Sequence, residues 1–124
     1  MDLDNADATD LAAIGARLLA DARSGTSGRA AHALHTTPVL KAVLIALREG
    51  AALAEHNAPP AATLQCLVGQ ARLHAGSREW PLGPGSFAPI PPERHGVDAV
   101  SDCVLLLTVG AAAAPAPVED ELIA

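Results

Sequence analysis

The chain has 124 residues, half of them apolar, and its 14 acidic and 8 basic residues give a net charge of −6. This length suits one domain with one core, and the apolar content excludes a chain that is disordered throughout. The acidic balance argues against a nucleic-acid partner, which needs clustered Lys and Arg, and against binding to anionic lipid. Because one Trp, one Phe and no Tyr are present, the core must be aliphatic.

The N-terminal sequence, Met1-Asp2-Leu3-Asp4, lacks the basic and apolar regions of a signal peptide. No apolar run reaches the ~18 residues that a membrane span needs. We therefore expect a cytoplasmic protein without a membrane partner.

Helical spacing is the first pattern along the chain, over residues 10–22. Its apolar positions are Leu11, Ile14, Leu18 and Leu19, with Thr9 or Asp10 as the N-cap. Gly- and Ser-rich residues 24–28 end the helix, so we assign residues 1–30 to an N-terminal helix and a flexible link. The apolar stripe must cover either the barrel of its own subunit or a partner. In the second case the helix would be a docking arm.

Short apolar runs broken by Gly and Pro replace the helical pattern after Thr36. The runs are Val39–Leu47, Leu64–Val68, Ala71–His74, Glu79–Leu82, Phe87–Ile90, Val97–Val100 and Val104–Val109. Strands that recur about every 8–12 residues with such turns are typical of a β-sandwich or barrel. We assign residues 31–110 to this barrel. Residues 111–124 are Ala/Pro-rich and then acidic, which predicts a disordered tail.

The segment from Gly50 to Gly69 carries a family resemblance. His56 follows Gly50 after five residues, as in the first cupin motif, G-x5-H-x-H-x3-4-E-x6-G. Ala58 stands at the second His position and Ala62 at the Glu position, while the spacing to Gly69 is kept. From about residue 39 to residue 109 the chain therefore resembles a small single-domain cupin.

The second cupin motif, G-x5-P-x-G-x2-H-x3-N, is matched in part. Gly85 and Pro91 fit it, Glu93 replaces the Gly, His95 comes one residue early and the Asn is absent. The resemblance implies an all-β fold, the cupin-type double-stranded β-helix or jelly-roll barrel, here with one N-terminal α-helix. It also implies pairing of two copies into a homodimer.

Alternate residues of a barrel strand face inward, which predicts the lining of a pocket. The inward set is His56, Ala58, Ala62, Leu64 and Cys66, provided that the register survives the Pro59-Pro60 turn. With His95 opposite, the pocket is mostly apolar and has two strong polar groups. A one-residue slip of the strand would place Gln65 in the pocket instead.

Two histidines are fewer than the three or more protein ligands that a tight Zn or Fe site offers. Glu55, Gln65, Cys66 or Glu93 would have to complete the set, although none of them stands at a motif position. A thiolate suits Zn, but the apolar neighbours of Cys66 favour a core residue. We therefore predict no cofactor and no standard metal site. A divalent metal on His56 and His95 is the less favoured alternative.

The remaining polar candidates have two interpretations each. Arg94, beside His95, is either an exposed rim residue or a contact for an anionic ligand. His32 and His35 fall in the predicted link, where we expect solvated or packing roles, and His74 should be exposed at a strand end. Cys66 and Cys103 are interpreted as small core residues.

Three functions fit these patterns. We favour a module that binds a small apolar or mildly polar molecule in the barrel through His56, His95 and Arg94. The alternative is a small enzyme of isomerase, dehydratase or lyase type that uses the two histidines as acid and base, or as ligands of a weak metal site. A partner protein with a helical docking arm is the third. A dioxygenase is disfavoured because most of its iron ligands are missing.

Overall fold

The computed structural model describes residues 8–59 and 61–110. Within them one helix, α1, spans Leu11–Ser24, and nine strands follow. The strands are β1 Arg29–Thr36, β2 Leu40–Leu47, β3 Ala52–His56, β4 Ala61–Val68, β5 Ala71–Ala75, β6 Arg78–Leu82, β7 Phe87–Pro89, β8 His95–Ala99 and β9 Cys103–Gly110. The predicted tail, residues 111–124, lies outside the described residues.

The strands form two antiparallel sheets that pack face to face. The five-stranded sheet has the order β1-β2-β9-β4-β7, and the four-stranded sheet has the order β3-β8-β5-β6. The chain crosses from one sheet to the other several times, which is the pattern of a jelly roll. This confirms the predicted all-β class with one N-terminal helix.

The main core lies between the two sheets and is aliphatic. Its fully buried members are Leu47, Leu64, Leu73 and Leu105, together with the free thiols of Cys66 and Cys103. Trp80 is half-buried and packs against this core. The prediction that both cysteines are core residues is therefore confirmed.

Helix α1 builds a second core on the outer face of the five-stranded sheet. Asp10 caps the helix, since its side chain accepts a hydrogen bond from the N–H of Ala13 at 3.1 Å. The buried members of this second core are Leu18, Leu19, Ala22, Leu44, Ala46 and Val104. Of the two expected partners for its apolar stripe, the helix therefore covers its own barrel, which removes the reason to treat it as a docking arm. Helix α1, the one helix among the described residues, is not long and apolar enough to cross a membrane.

The region predicted as a link contains strand β1. Only residues 25–28 connect α1 to β1, so the expected boundary at residue 30 falls inside a strand. His32 and His35 lie on β1, opposite Leu44 and Ala42 of β2, and not in a link. Ala-rich β1 has a weak intrinsic preference for a strand, and pairing with β2 overrides that preference.

Gly69 turns the chain from β4 in one sheet to β5 in the other. Its φ of +78° suits glycine, and a Cβ there would lie 1.9 Å from the carbonyl oxygen of Asp102. The motif glycine is thus required by a close backbone approach at the corner between the sheets.

Candidate functional site

Strands β3 and β8 place His56 beside His95 at one end of the barrel. The two residues are Cα partners, and their ring centroids lie 4.4 Å apart with the ring planes tilted by 59°. Two residues of β3 face one residue of β8 between Leu53 and His56, which is a β-bulge. The bulge sets the register in which the two imidazoles meet, and the sequence pattern had brought the same two histidines together.

Each imidazole is held by a backbone carbonyl close to it in the chain. Nδ1 of His56 lies 3.0 Å from the carbonyl oxygen of Ala54, and Nδ1 of His95 lies 3.0 Å from that of Glu93. A ring that donates its Nδ1–H to such a carbonyl carries its lone pair on Nε2. The anchoring therefore leaves Nε2 of each ring as the atom that can meet a ligand.

The two rings differ in exposure. His95 is only 3% exposed and is the one buried polar or charged residue in the described part of the chain, whereas His56 is exposed. At this end of the barrel the residue after β7 meets the start of β4, because the N–H of Ile90 donates to the carbonyl of Ala62 at 2.9 Å. The pair therefore marks the barrel mouth, with one ring inside and one outside.

The other predicted pocket residues are divided between the mouth and the core. Ala58 and Ala62 are half-buried near the mouth, in the β3–β4 loop and at the start of β4. Leu64 and Cys66 are buried in the packed core, with exposures of 1% and 0%. Gln65 alternates with them and pairs with exposed Phe87, so it lies on the outer face. Of the two predicted registers, the one that keeps Gln65 out of the barrel is therefore present.

The residues at the mouth do not fit a standard metal site. The described residues contain no group of three or more His, Cys, Asp or Glu side chains that could hold a metal ion. The Sγ of Cys66 donates to the carbonyls of Val68 and Gly69, at 3.5 and 3.3 Å, and burial raises the pKa of this thiol. Cys66 and Gln65 thus fail to complete a ligand set with the two histidines.

Arg94 points away from the histidine pair. Its guanidinium donates to the carbonyl of Glu55 at 3.2 Å and lies 3.6 Å from the carboxylate of the same residue. Its side chain is 60% exposed. Of the two interpretations of Arg94, this geometry agrees with the exposed rim residue.

Charged side chains and the imidazole of His74 form a ladder across the outer face of the four-stranded sheet. Its members, in order, are Glu79, Arg72, Asp98, His74, Glu55 and Arg94. Successive nitrogen–oxygen distances are 3.9, 2.5, 3.5, 3.7 and 3.6 Å. This outer charge ladder was not predicted from the sequence. The alternation of Arg72 and His74 with apolar neighbours was the available signal.

His74 is less exposed than the sequence predicted. It lies within β5, with a side chain 22% exposed between Glu55 and Asp98. Its ring stands over Gly96, where a Cβ would lie 2.8 Å from Cε1 of His74. The absence of a side chain at residue 96 makes room for the imidazole.

Four surface clefts of 240 to 390 Å³ lie elsewhere on the described residues, and neither His56 nor His95 lines them. The largest of the four lies between β6 and β7, and Trp80 and Phe87 are among its lining residues. The candidate site at the mouth is therefore shallow, since the core beneath it is filled by side chains.

Comparison with solved structures identifies the fold. A conserved protein of unknown function from Streptococcus pyogenes is 21% identical, with a TM-score of 0.66 over 73% of this chain and 80% of that one. An RmlC-like cupin from Shewanella frigidimarina is 22% identical, with a TM-score of 0.64 over 69% of this chain and 78% of that one.

Salicylate 1,2-dioxygenase from Pseudaminobacter salicylatoxidans is 17% identical, with a TM-score of 0.67 over 78% of this chain and 33% of that longer one. No family model matches the sequence, and no curated protein matches it. The chain thus has the fold of the small RmlC-like cupins, and the fold that the sequence resemblance implied is confirmed.

Proposed function

We propose that this cupin-fold domain binds a small apolar or mildly polar molecule at the barrel mouth, with His56 and His95 as its polar contacts. The observation that carries the proposal is the contact between the two imidazoles, 4.4 Å apart, at the open end of the barrel. Ligand sites are mostly apolar and hold a few convergent polar groups, and this end has that composition.

Burial of His95 supports the proposal. A polar group taken out of water costs free energy unless it finds a hydrogen-bond partner. The carbonyl of Glu93 meets this need at Nδ1 of the ring, and no buried side-chain nitrogen or oxygen of the described residues lacks a partner, so Nε2 is the atom left to contact a ligand. His56, which is exposed, would close over the bound molecule from the solvent side.

The apolar part of the ligand would rest on half-buried aliphatic side chains at the margin of the core. The candidates are Val43, Leu53, Ala62, Ile90 and Leu107. Leu64 and Cys66 would form the floor and not the walls, because both are already packed. The ligand is therefore small and binds near the surface. We propose that it binds without a metal, since the ligand set is incomplete.

The test is binding of small organic molecules to the full chain, followed by NMR of its imidazole groups. Native mass spectrometry of protein purified without a His tag would first report any molecule retained from the host, and metal analysis would accompany it. A fragment that binds should shift the imidazole signals of His56 and His95. The His56→Ala variant should lose the binding, and His35→Ala, an exposed histidine on β1, should keep it.

Two outcomes would contradict the proposal. Fragments that bind but leave both mouth imidazoles unperturbed would place the site elsewhere. One equivalent of bound metal that is lost in His56→Ala would show that the pair is a metal site after all.

An acid–base enzyme of isomerase, dehydratase or lyase type is the second candidate. An imidazole acts as a general acid when protonated and as a general base when neutral, so two imidazoles in contact could supply both roles. The likeness to a dioxygenase adds nothing to this candidate, because at 17% identity it concerns the fold alone. Turnover that survives in both His56→Ala and His95→Gln would dispose of it.

We further propose that two copies form a homodimer in the cytoplasm. An exposed edge strand, β1, has one side of its backbone without a partner in the described part of the chain. Free Cys66 and Cys103 suit a reducing compartment. Sedimentation of the full chain checks the dimer, and a monomer at all concentrations would contradict it.

A further inference from the structure

The only two aromatic side chains of the protein line the same surface cleft. The sequence contains one Trp and one Phe, and Trp80 and Phe87 both border the cleft of 390 Å³ between β6 and β7. Phe87 is 62% exposed and Trp80 is half-buried, while the cores are otherwise aliphatic. Aromatic rings held at a surface mark binding surfaces more often than cores.

The cleft lies at an open seam of the barrel. Strand β6 is an edge of the four-stranded sheet, and β7 is an edge of the five-stranded sheet. Ile90, Pro91 and Pro92 continue the wall beyond β7. An elongated apolar ligand could therefore lie along the seam between the two edges.

We propose that this cleft binds the C-terminal segment of the same chain, residues 111–121, with Pro115 and Pro117 against Trp80 and Phe87. The segment reads Ala-Ala-Ala-Ala-Pro-Ala-Pro-Val-Glu-Asp-Glu. Proline-rich sequences favour the polyproline II conformation, and aromatic-lined grooves recognise it with little loss of entropy. The segment and the cleft thus match in chemistry.

The end of β9 places this segment close to the cleft. Gly110 pairs with Ala61 of β4, and the N–H of Ile90, a wall residue, donates to the carbonyl of neighbouring Ala62 at 2.9 Å. Strands β9 and β7 flank β4, so their axes are separated by about 10 Å, twice the usual strand spacing. Seven residues in polyproline II span about 22 Å, which lets residues 115–117 reach the wall within one chain.

Charge supports the same occupant. Arg78 is the cation that lines the cleft, and its guanidinium stacks over Trp80 at 5.0 Å from the ring centroid. It also forms an ion pair with Glu93 at the rim. Residues Glu119, Asp120 and Glu121 follow the prolines after Val118 and would meet this guanidinium once the prolines are seated.

Trp80 allows a direct test, because it is the only tryptophan. Acrylamide quenching and the emission maximum of the full chain would be compared with those of a variant carrying Pro115→Ser and Pro117→Ser. The variant keeps the length and the charge of the chain, so its far-UV circular dichroism spectrum should match that of the parent. We expect a larger quenching constant and a red shift, since the indole loses its cover. Identical quenching in the two proteins would overturn the proposal.

A spin label distinguishes docking within the chain from docking between copies. A nitroxide on Ala116→Cys should quench Trp80, whereas the same label on Ala12→Cys, on α1, should not. The native cysteines are buried and do not compete for the reagent. Quenching that persists on dilution supports the proposal. Quenching that disappears on dilution would show that the segment comes from a second copy. An absence of quenching at any concentration would show that the segment does not occupy the cleft and would overturn the proposal.

Discussion

The two sheets of this protein differ in what covers their outer faces. The outer face of the five-stranded sheet is apolar and lies under α1, where Leu44, Ala46 and Val104 are buried. The outer face of the four-stranded sheet carries the charge ladder and faces water. The first sheet is therefore buried on both faces where α1 covers it, at β1, β2 and β9, and the second sheet is buried on one face.

Strand composition follows from this difference. Strand β2, in the first sheet, is nearly continuous in apolar residues, whereas β5 alternates apolar with charged ones. A strand that is buried on both faces favours apolar residues throughout. A strand with one face in contact with solvent favours a polar residue at every second position. We expect the outer face under α1 to stabilise the fold strongly and the ladder to stabilise it weakly.

Truncating a side chain under α1 should have the largest effect. Leu44 is fully buried, so Leu44→Ala should lower the free energy of unfolding by about 2–5 kcal/mol through lost burial and a cavity. Urea unfolding followed by circular dichroism measures it. Val100→Ala, at a position 58% exposed, is the matched control and should stay within about 0.5 kcal/mol of the parent. Equal losses at the two positions would contradict the second core.

Alkaline pH should lower the stability of the protein, because a thiol on the inner face of the five-stranded sheet is buried away from water. Burial, then the neighbouring Cys66 and Asp102, raise the pKa of the Cys103 thiol from 9.0 to about 12. Because the folded pKa is raised, its stabilising contribution is complete below pH 9.0 and is lost as the pH rises toward 12.

This loss should amount to about 1.4 kcal/mol per pH unit for one thiol. The absence of Tyr leaves few other groups that titrate in this range. Chemical unfolding at several alkaline pH values should therefore show a flatter dependence in Cys103→Ala than in the parent. Parallel curves would mean that Cys103 ionises as readily in the folded protein as in the unfolded chain.

The contact between α1 and the sheet corner should respond to acid. The N–H of Glu49 and the Nε of Arg23, each 2.7 Å from Asp102, hold the pKa of that carboxyl below its ordinary 3.8. A depressed pKa gives stability that is present above 3.8 and lost as the pH falls through the folded value. Asp102→Asn should thus have a lower melting temperature than the parent at neutral pH, and the gap should close in acid. A gap independent of pH would assign the effect to packing.

The outer charge ladder should give the smallest effect. Arg72→Gln removes the ion pairs with Asp98 and Glu79, but these side chains are a third to more than half exposed, and exposed pairs contribute little. We expect a slight drop in melting temperature in low salt that vanishes in high salt, because salt screens the pairs. A large drop that persists in high salt would show that the two outer faces contribute alike.

The barrel could be predicted from the sequence because turn glycines and motif spacing depend on residues that are close together in the chain. Gly69 allows a turn that no other residue fits, and motif spacing placed His56 opposite His95. Strand β1 was not predicted, because alanine has a weak intrinsic preference for strands and only pairing with β2 fixes the extended conformation. The outer charge ladder escaped notice because its members come from all four strands, and only the order of strands in the sheet brings them together.

The bulge in β3 decides the chemistry of the barrel mouth. If the same sequence paired without the bulge, Glu55 would stand opposite His95, and His56 would move to the outer face. The bulge thus gives an imidazole–imidazole contact where a regular ladder would give a carboxylate–imidazole contact, with the same side chains in the sequence. At this position a shift of one residue in the strand pairing acts as an exchange of functional groups, a kind of change that comparison of aligned side chains would not reveal.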